Sequence, residues 1–268
     1  MWDAIIISPA INVLLFIYNL IGRNFGIAIV LFTILIKLIT HPLTAKQIKS
    51  TKAMQALQSD PKWIDIQKKY KNDKEKLAQE QMSIYKERGV SPFASCLPTL
   101  IQLPIIIGLY QAIIQTMGST PAQVLNLTGR ITPFLTNLFS FIPWLKDPIT
   151  LIPLNSQFLW MDLGKPERLL IPGISFGIPI LAIIVVATSY LQSKVMAPPP
   201  SDPSAQQMGM MNVYMPLMMG YFAYSFASGL ALYFVVSNVL TVLQYTALGG
   251  KSLKSLFVKK EELKRIKK

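Results

Sequence analysis

The sequence predicts an all-α, polytopic membrane protein with five transmembrane helices, a cytosolic helical hairpin and an N-terminal interfacial helix. Three observations carry that fold class. Of the 268 residues 51% are hydrophobic, and mean hydropathy is +0.41, too apolar for an ordinary soluble domain. Several uncharged runs approach the roughly 20 residues that a helix needs to cross a bilayer. The net charge is +13, yet few of those charges fall inside the apolar runs. A soluble nucleic-acid-binding domain would instead carry them on a basic face, so DNA is not an expected partner. The single cysteine, Cys96, excludes an intrachain disulfide and a cysteine-based zinc cluster.

Residues 1–24 are apolar but lack the basic start of a signal peptide, and Pro9 interrupts them. They read as a helix or lead-in at the outer surface, with a sixth span as the alternative. Residues 25–45 form span 1, closed by Pro42. Within it Ile27 to Ile36 are uncharged, and then Lys37 arrives, with Thr33 one turn earlier on the same face. An ionisable residue inside a span costs roughly 2.5–3.5 kcal/mol at mid-helix and marks function by default. A lysine near a helix end can also snorkel to water, and both readings of Lys37 stand.

Residues 46–90 change composition sharply: Lys46 to Arg88 hold eleven Lys/Arg against six Asp/Glu. Pro61 and Lys71-Asn72-Asp73 divide this stretch into two helical pieces with thin apolar stripes, which reads as a helical hairpin at the membrane surface; a solvated charged loop is the plainer alternative. Span 2 covers 91–117 and contains Gln102, with Pro98 and Pro104, which membrane helices tolerate. An outer connection, 118–170, carries Trp144 and Trp160, which suit the headgroup belt. Span 3 covers 171–193, and a stiff Pro-rich cytosolic linker runs over 194–212.

Span 4 (213–227) and span 5 (230–248) leave only Ser228-Gly229 between them and must form a tight hairpin. Fifteen residues reach roughly 22 Å, short of the ~30 Å hydrocarbon core. The bilayer there is expected to be thinned unless the helix starts earlier, near Met208. Six methionines between Met208 and Met219 are either lipid-facing filler or an adaptable apolar surface. Residues 249–268 form a tail with eight Lys/Arg. Five spans put 20 Lys/Arg on one side and five on the other, so the rich side is cytosolic, with the N-terminus outside and the C-terminus inside.

Motifs with catalytic potential fail on context. Gly173-Ile-Ser-Phe-Gly177 fits the serine-hydrolase pattern, but its only potential base, His41, belongs to the other membrane side. Gly250-Lys251-Ser252 lacks the strand and first glycine of a phosphate loop. No span holds a carboxylate, His41 alone makes no metal site, and no enzyme, metal or cofactor is expected.

Four blocks then carry a resemblance: Thr33-Ile-Leu-Ile-Lys37 with Pro42-Leu43-Thr44; Lys49-Ser-Thr-Lys-Ala-Met54 running to Tyr70-Lys71-Asn72-Asp73; Gly89-Val-Ser-Pro92 with Cys96-Leu-Pro98 and Gln102-Leu-Pro104; and Ser228-Gly229-Leu-Ala-Leu-Tyr233 with Ser237-Asn238. Phe158-Leu-Trp-Met-Asp-Leu163 with Lys165-Pro166 adds a fifth. In order and spacing they cover nearly the whole chain, which resembles the YidC membrane protein insertases in their short, five-span form, with relatives in mitochondria and chloroplasts. The resemblance implies a multi-pass protein of a bacterial cell membrane that moves polar client segments through a hydrophilic groove without nucleotide. It places Lys37 where the family usually has arginine, which keeps the charge but not the bidentate fork. It makes Thr33, Gln192, Tyr233 and Phe234 groove residues and gives Lys46, Lys49, Lys52, Lys68, Lys69 and Lys71 to a client-receiving hairpin. Implied partners are nascent membrane proteins, the ribosome (with rRNA contact through the basic tail) and the Sec translocon; the tail could equally bind anionic lipid. A small-molecule transporter or channel and a membrane-anchored assembly scaffold are the rival classes. The first lacks the internal repeat such folds show.

Overall fold

A computed structural model describes residues 3–58, 60–70, 73–89, 97–116, 125, 127–131, 151, 154–169, 177–196 and 205–248, with backbone alone at 74, 97–101 and 205–212. These residues are almost wholly helical. A wide π-type turn, Asp3–Ile7, leads into α1 (Ser8–Leu20). There follow α2 (Phe25–Ile39), α3 (His41–Gln58), α4 (Pro61–Lys69), α5 (Lys74–Glu87) and α6 (Leu97–Thr116). A two-residue antiparallel hairpin, β1 (Gln157–Phe158) with β2 (Met161–Asp162), precedes α7 (Ile180–Met196), α8 (Ala205–Ser225) and α9 (Ser228–Ala247). Asp3–Leu20 and Ser228–Ala247 are each long and apolar enough to cross a membrane, and the bent pair α2–α3 qualifies if taken as one broken span. An all-α membrane fold follows from that composition and helicity.

Several boundaries fall elsewhere than expected, for local reasons. The run through Lys37 breaks at Thr40, and Pro42 stands in the first turn of α3 instead of closing span 1; a proline lacks the N–H that a first turn does not use. The basic stretch makes three helices, not two. Asp60 caps α4 by accepting from Lys62 N–H, with Pro61 at its start, and Asp73 caps α5 by accepting from Lys76 N–H, as side-chain acceptors do at N-termini. The third span's helix starts at Ile180, because Gly177 to Pro179 are held extended by the Leu169–Ile178 bridge. The fourth helix starts at Ala205, and its 21 residues reach about 31 Å at 1.5 Å each. The length argument for a thinned bilayer therefore falls. Phe226-Ala227 connect α8 and α9; Ser228 and Gly229 already belong to α9. The linker 197–204, the tail 249–268, Lys71, Trp144, Cys96, Ser175 and the 250–252 motif lie outside the described residues.

The chain divides into two compact units. The first comprises Met1–Ile39, Ile101–Ala187 and Met218–Ser237. Its core joins Ile11, Leu14 and Leu15 of α1 and Phe25, Ile29 and Phe32 of α2. Leu109 and Ile113 of α6, Val185 of α7 and Leu230 to Phe234 of α9 complete it. Gly26 lets the Phe158 ring lie directly on α2, and Gly220 does the same for Val186 of α7 on α8. Of the methionine-rich stretch, Met219 packs against this core.

The second unit comprises Thr40–Leu100, Thr188–Leu217 and Asn238–Lys268. Its α3 packs Ile48 against Val195, Val242 and Tyr245. Gln55 Nε2 donates to the Met196 carbonyl at the end of α7, and Lys52 Nζ donates to the Leu248 carbonyl just past α9 at 2.5 Å. Side chains thus satisfy C-terminal carbonyls that a helix leaves open. A separate small core of Leu57, Trp63 and Ile84 ties α3, α4 and α5, reinforced by the Lys62–Glu87 (2.8 Å) and Arg88–Asp60 (2.7 Å) ion pairs.

Candidate functional site

Of the five groove residues expected, four belong to the first unit, and three are core residues. Thr33 is fully buried and its hydroxyl donates to the Ile29 carbonyl of its own helix at 2.6 Å, a local bond that competes with facing a ligand. Tyr233 is 1% exposed and Phe234 is buried beside it. Lys37 is half-buried in the last turn of α2, where a cation also suits the helix dipole. Gln192 belongs to the second unit.

Two polar sets interrupt the apolar packing; of their members only Tyr233 was expected in the groove, and the pairings within the sets were not foreseen. In the first unit the Tyr233 hydroxyl accepts from Gln102 Nε2 of α6 and also hydrogen-bonds Ser237 one turn along α9. In the second, Asn238 Nδ2 of α9 donates to Thr188 Oγ1 (3.2 Å) and Ser189 Oγ (2.8 Å) of α7. Gln192 lies one turn further along α7. Its Oε1 is buried with no hydrogen-bond partner among the described residues. The signal for both sets was visible as polar residues inside apolar runs; what the sequence could not show is which of them pair.

The hairpin lysines divide by role. Lys46, Lys49, Lys68 and Lys69 are exposed, Lys69 lying over the Tyr70 ring at 5.3 Å. Lys52 is engaged instead at the end of α9, with its ammonium also 5.5 Å from the centre of the Tyr245 ring. His41 sits at the start of α3, its Nδ1 3.3 Å from Gln244 Nε2.

The starts of α9 and α7 are capped by Asp162 at the end of β2 and by the residues that follow it. Ser228 N–H donates to the Lys165 carbonyl at 2.8 Å, Gly229 N–H to Leu163 at 3.0 Å, and Ser228 Oγ to the Asp162 carbonyl at 2.7 Å. The buried Glu167 carboxylate accepts from Leu181 N–H in the first turn of α7 at 3.1 Å and from Trp160 Nε1 at 3.0 Å. Burial works against the Asp162 carboxylate, but hydrogen bonds from Ser156, the Gly164 N–H and Lys165 hold it below the usual carboxylate range. Two of the resembling blocks, 158–166 and 228–233, thus meet through backbone hydrogen bonds.

The model of the family described as 60Kd inner membrane protein matches residues 16–252. The chain is also 32% identical over 252 residues to a membrane protein insertase YidC of Oceanobacillus iheyensis, covering 91% of this chain and 81% of the relative. The chain belongs to the YidC family. Another member, the membrane protein insertase MisCA of Bacillus subtilis, is 32% identical over 257 residues, 94% of this chain and 81% of its own. The inner membrane protein ALBINO3 of Arabidopsis thaliana chloroplasts is 36% identical over 227 residues, 82% of this chain and 45% of its own. The two bacterial relatives are named membrane protein insertases, and the apolar helices agree with a membrane-integral chain.

Proposed function

We propose that the protein is a membrane protein insertase that works without nucleotide. Family membership supports the activity, and one observation carries the mechanism: α2 holds a single charge, Lys37, half-buried at its end. A client's polar outer segment, often acidic, passes beside that charge, so the desolvation that makes crossing costly is reduced. Its apolar helix then moves into lipid, driven by burial of its own surface. Thr33, Gln192, Tyr233 and Phe234 contact the passing segment once their packing opens. The exposed Lys46, Lys49, Lys68 and Lys69, with Lys71, receive clients on the cytosolic side. Nascent membrane proteins are the clients, and the basic tail docks on ribosomal RNA or anionic lipid, with the Sec translocon as a further partner.

The topology has five spans from Phe25 onward, the N-terminus outside and the C-terminus in the cytosol of a bacterial cell. Contacts of α1 support the outer placement of the first helix. Asp3 pairs with Arg130 at 3.1 Å, Asn12 Nδ2 donates to the Arg130 carbonyl at 3.0 Å, and the Tyr18 hydroxyl accepts from Asn155 N–H at 3.0 Å. A helix crossing the bilayer would separate Asp3 from Tyr18 by about 22 Å of depth; here the outer connection meets both.

The test is reconstitution of the purified protein in liposomes, scoring protease protection of a single-span client with a short acidic outer tail. Protection without nucleotide is expected, lowered in Lys37→Ala and preserved in Lys37→Arg. Equal protection by wild type and Lys37→Ala would remove the charge from the mechanism. No protection above empty liposomes by folded, correctly oriented protein would favour a scaffold.

A further inference from the structure

The tip of the β1–β2 hairpin departs from what an aqueous turn selects. A two-residue hairpin turn needs a positive φ, which glycine or asparagine supplies without strain. Here the position is Leu159, at φ +55°, with its side chain 72% exposed. Trp160 follows and is 50% exposed. Its ring is not loose, because the indole N–H is held by the Glu167 carboxylate. A strained leucine and an oriented tryptophan, side by side and facing outward, require an apolar neighbour.

The hairpin's attachments say where that neighbour lies. The carbonyls of Leu163 and Lys165, in the turn just past β2, cap α9 at Gly229 and Ser228, and Glu167 caps α7 at Leu181. A 20-residue apolar helix such as α9 ends near the boundary between hydrocarbon and headgroups. The tip is therefore held at the depth where tryptophan concentrates in membrane proteins. Lys165, beside the same turn, is exposed and can face headgroup phosphate while it pairs with Asp162 at 3.3 Å.

We infer that Leu159 and Trp160 form a membrane anchor seated in the outer leaflet, with phospholipid at the headgroup–acyl boundary as its partner. Glu167 is the positioning residue: one carboxylate both caps α7 and aims the indole. The anchor fixes the depth of the ends of α7 and α9. The inference rests on α9 crossing the bilayer and not on insertase activity, so it survives or fails separately from Lys37.

The test uses the full chain in nanodiscs of mixed phosphatidylglycerol and phosphatidylethanolamine. Leu159→Cys in a Cys96→Ser background carries a small fluorophore, with Lys68→Cys as the water-exposed reference. Lipid carrying a nitroxide near its headgroup should quench the Leu159→Cys label at least about twofold more than the reference, and aqueous iodide should quench it correspondingly less. As a check that leaves the turn unmodified, the Trp160 share of emission (wild type minus Trp160→Phe) should be quenched by lipid brominated near the headgroup. Iodide quenching equal to the reference, with no lipid quenching, would overturn the proposal. So would shielding that appears only when a client peptide is added, since the tip would then be a protein-binding site.

Discussion

Gly229 is a position where one methyl group separates two competing effects. A Cβ there would meet the Leu163 carbonyl oxygen at 3.1 Å, Ile29 Cδ1 at 3.2 Å and Ile113 Cγ2 at 3.3 Å. The isoleucine tips can retreat by a few tenths of an ångström. The carbonyl oxygen cannot do so freely, because it is the acceptor of Gly229's own N–H at 3.0 Å. Overpacking of this kind costs about 1–3 kcal/mol, and loosening the hydrogen bond adds up to about 0.5–1.5 kcal/mol. Against this, alanine gains about 1 kcal/mol of helix propensity over glycine. The net expectation for Gly229→Ala is a loss of about 1–2 kcal/mol. Reversible unfolding in mixed detergent micelles, followed by circular dichroism over an SDS titration, measures it. The backbone control is Gly22→Ala, where φ is +76° and no atom lies within 4 Å, so any loss there reports φ strain alone. A Gly229→Ala protein as stable as wild type would refute the idea that the 163–165 turn of the outer connection is locked against α9.

Other outcomes follow from the same structure. Glu167→Ala strands two donors, Leu181 N–H and the Trp160 indole, and is expected to cost about 2–4 kcal/mol, with faster hydrogen exchange in the first turn of α7; Glu167→Gln should fall between it and wild type. Tyr233→Phe and Gln102→Leu, combined in a double-mutant cycle, should show a coupling of about 0.5–1.5 kcal/mol; additive losses would mean the pair does not act together. A hydrogen bond from Lys62, and then its charge, hold the Glu87 carboxyl below its ordinary range. That depressed value makes its contribution complete above the usual glutamate pKa of about 4.3 and lost as pH falls through the lower folded value. Glu87→Gln should therefore flatten the acid limb of α4–α5 unfolding and leave the behaviour near pH 7 unchanged in shape.

The membrane class, the existence of each apolar helix and the single charged residue of α2, Lys37, were legible because burial in lipid writes itself as long uncharged runs. Helix ends were less so. Pro42 looked like a stop and is a start, since proline suits a first turn as well as it ends a helix. Ser228-Gly229 looked like a turn by residue type, but its free N–H groups find acceptors 63 or more residues back in the chain, at Lys165 and Leu163, which local propensity cannot register. Within the candidate site, Thr33 was picked as part of a polar face and Tyr233 through the family resemblance. Their hydroxyls are satisfied by Ile29 and by Gln102 with Ser237, pairings that depend on how helices pack. Lys52 was grouped with the exposed lysines because charge runs read alike, whereas its ammonium is committed to the end of α9.

The partners that close α7 and α9 also have an order in time. Glu167 and the Leu163 and Lys165 carbonyls close their N-terminal turns, and Gln55 and Lys52 close their C-terminal ends. Every one of these groups is encoded before residue 180. A ribosome delivers chain from the N-terminus at about 5–20 residues per second. By the time either helix emerges, the donors and acceptors that finish it have already been made, and neither waits on chain still inside the exit tunnel. A protein proposed to help others enter the membrane is thus built so that its own α9 can dock as it arrives.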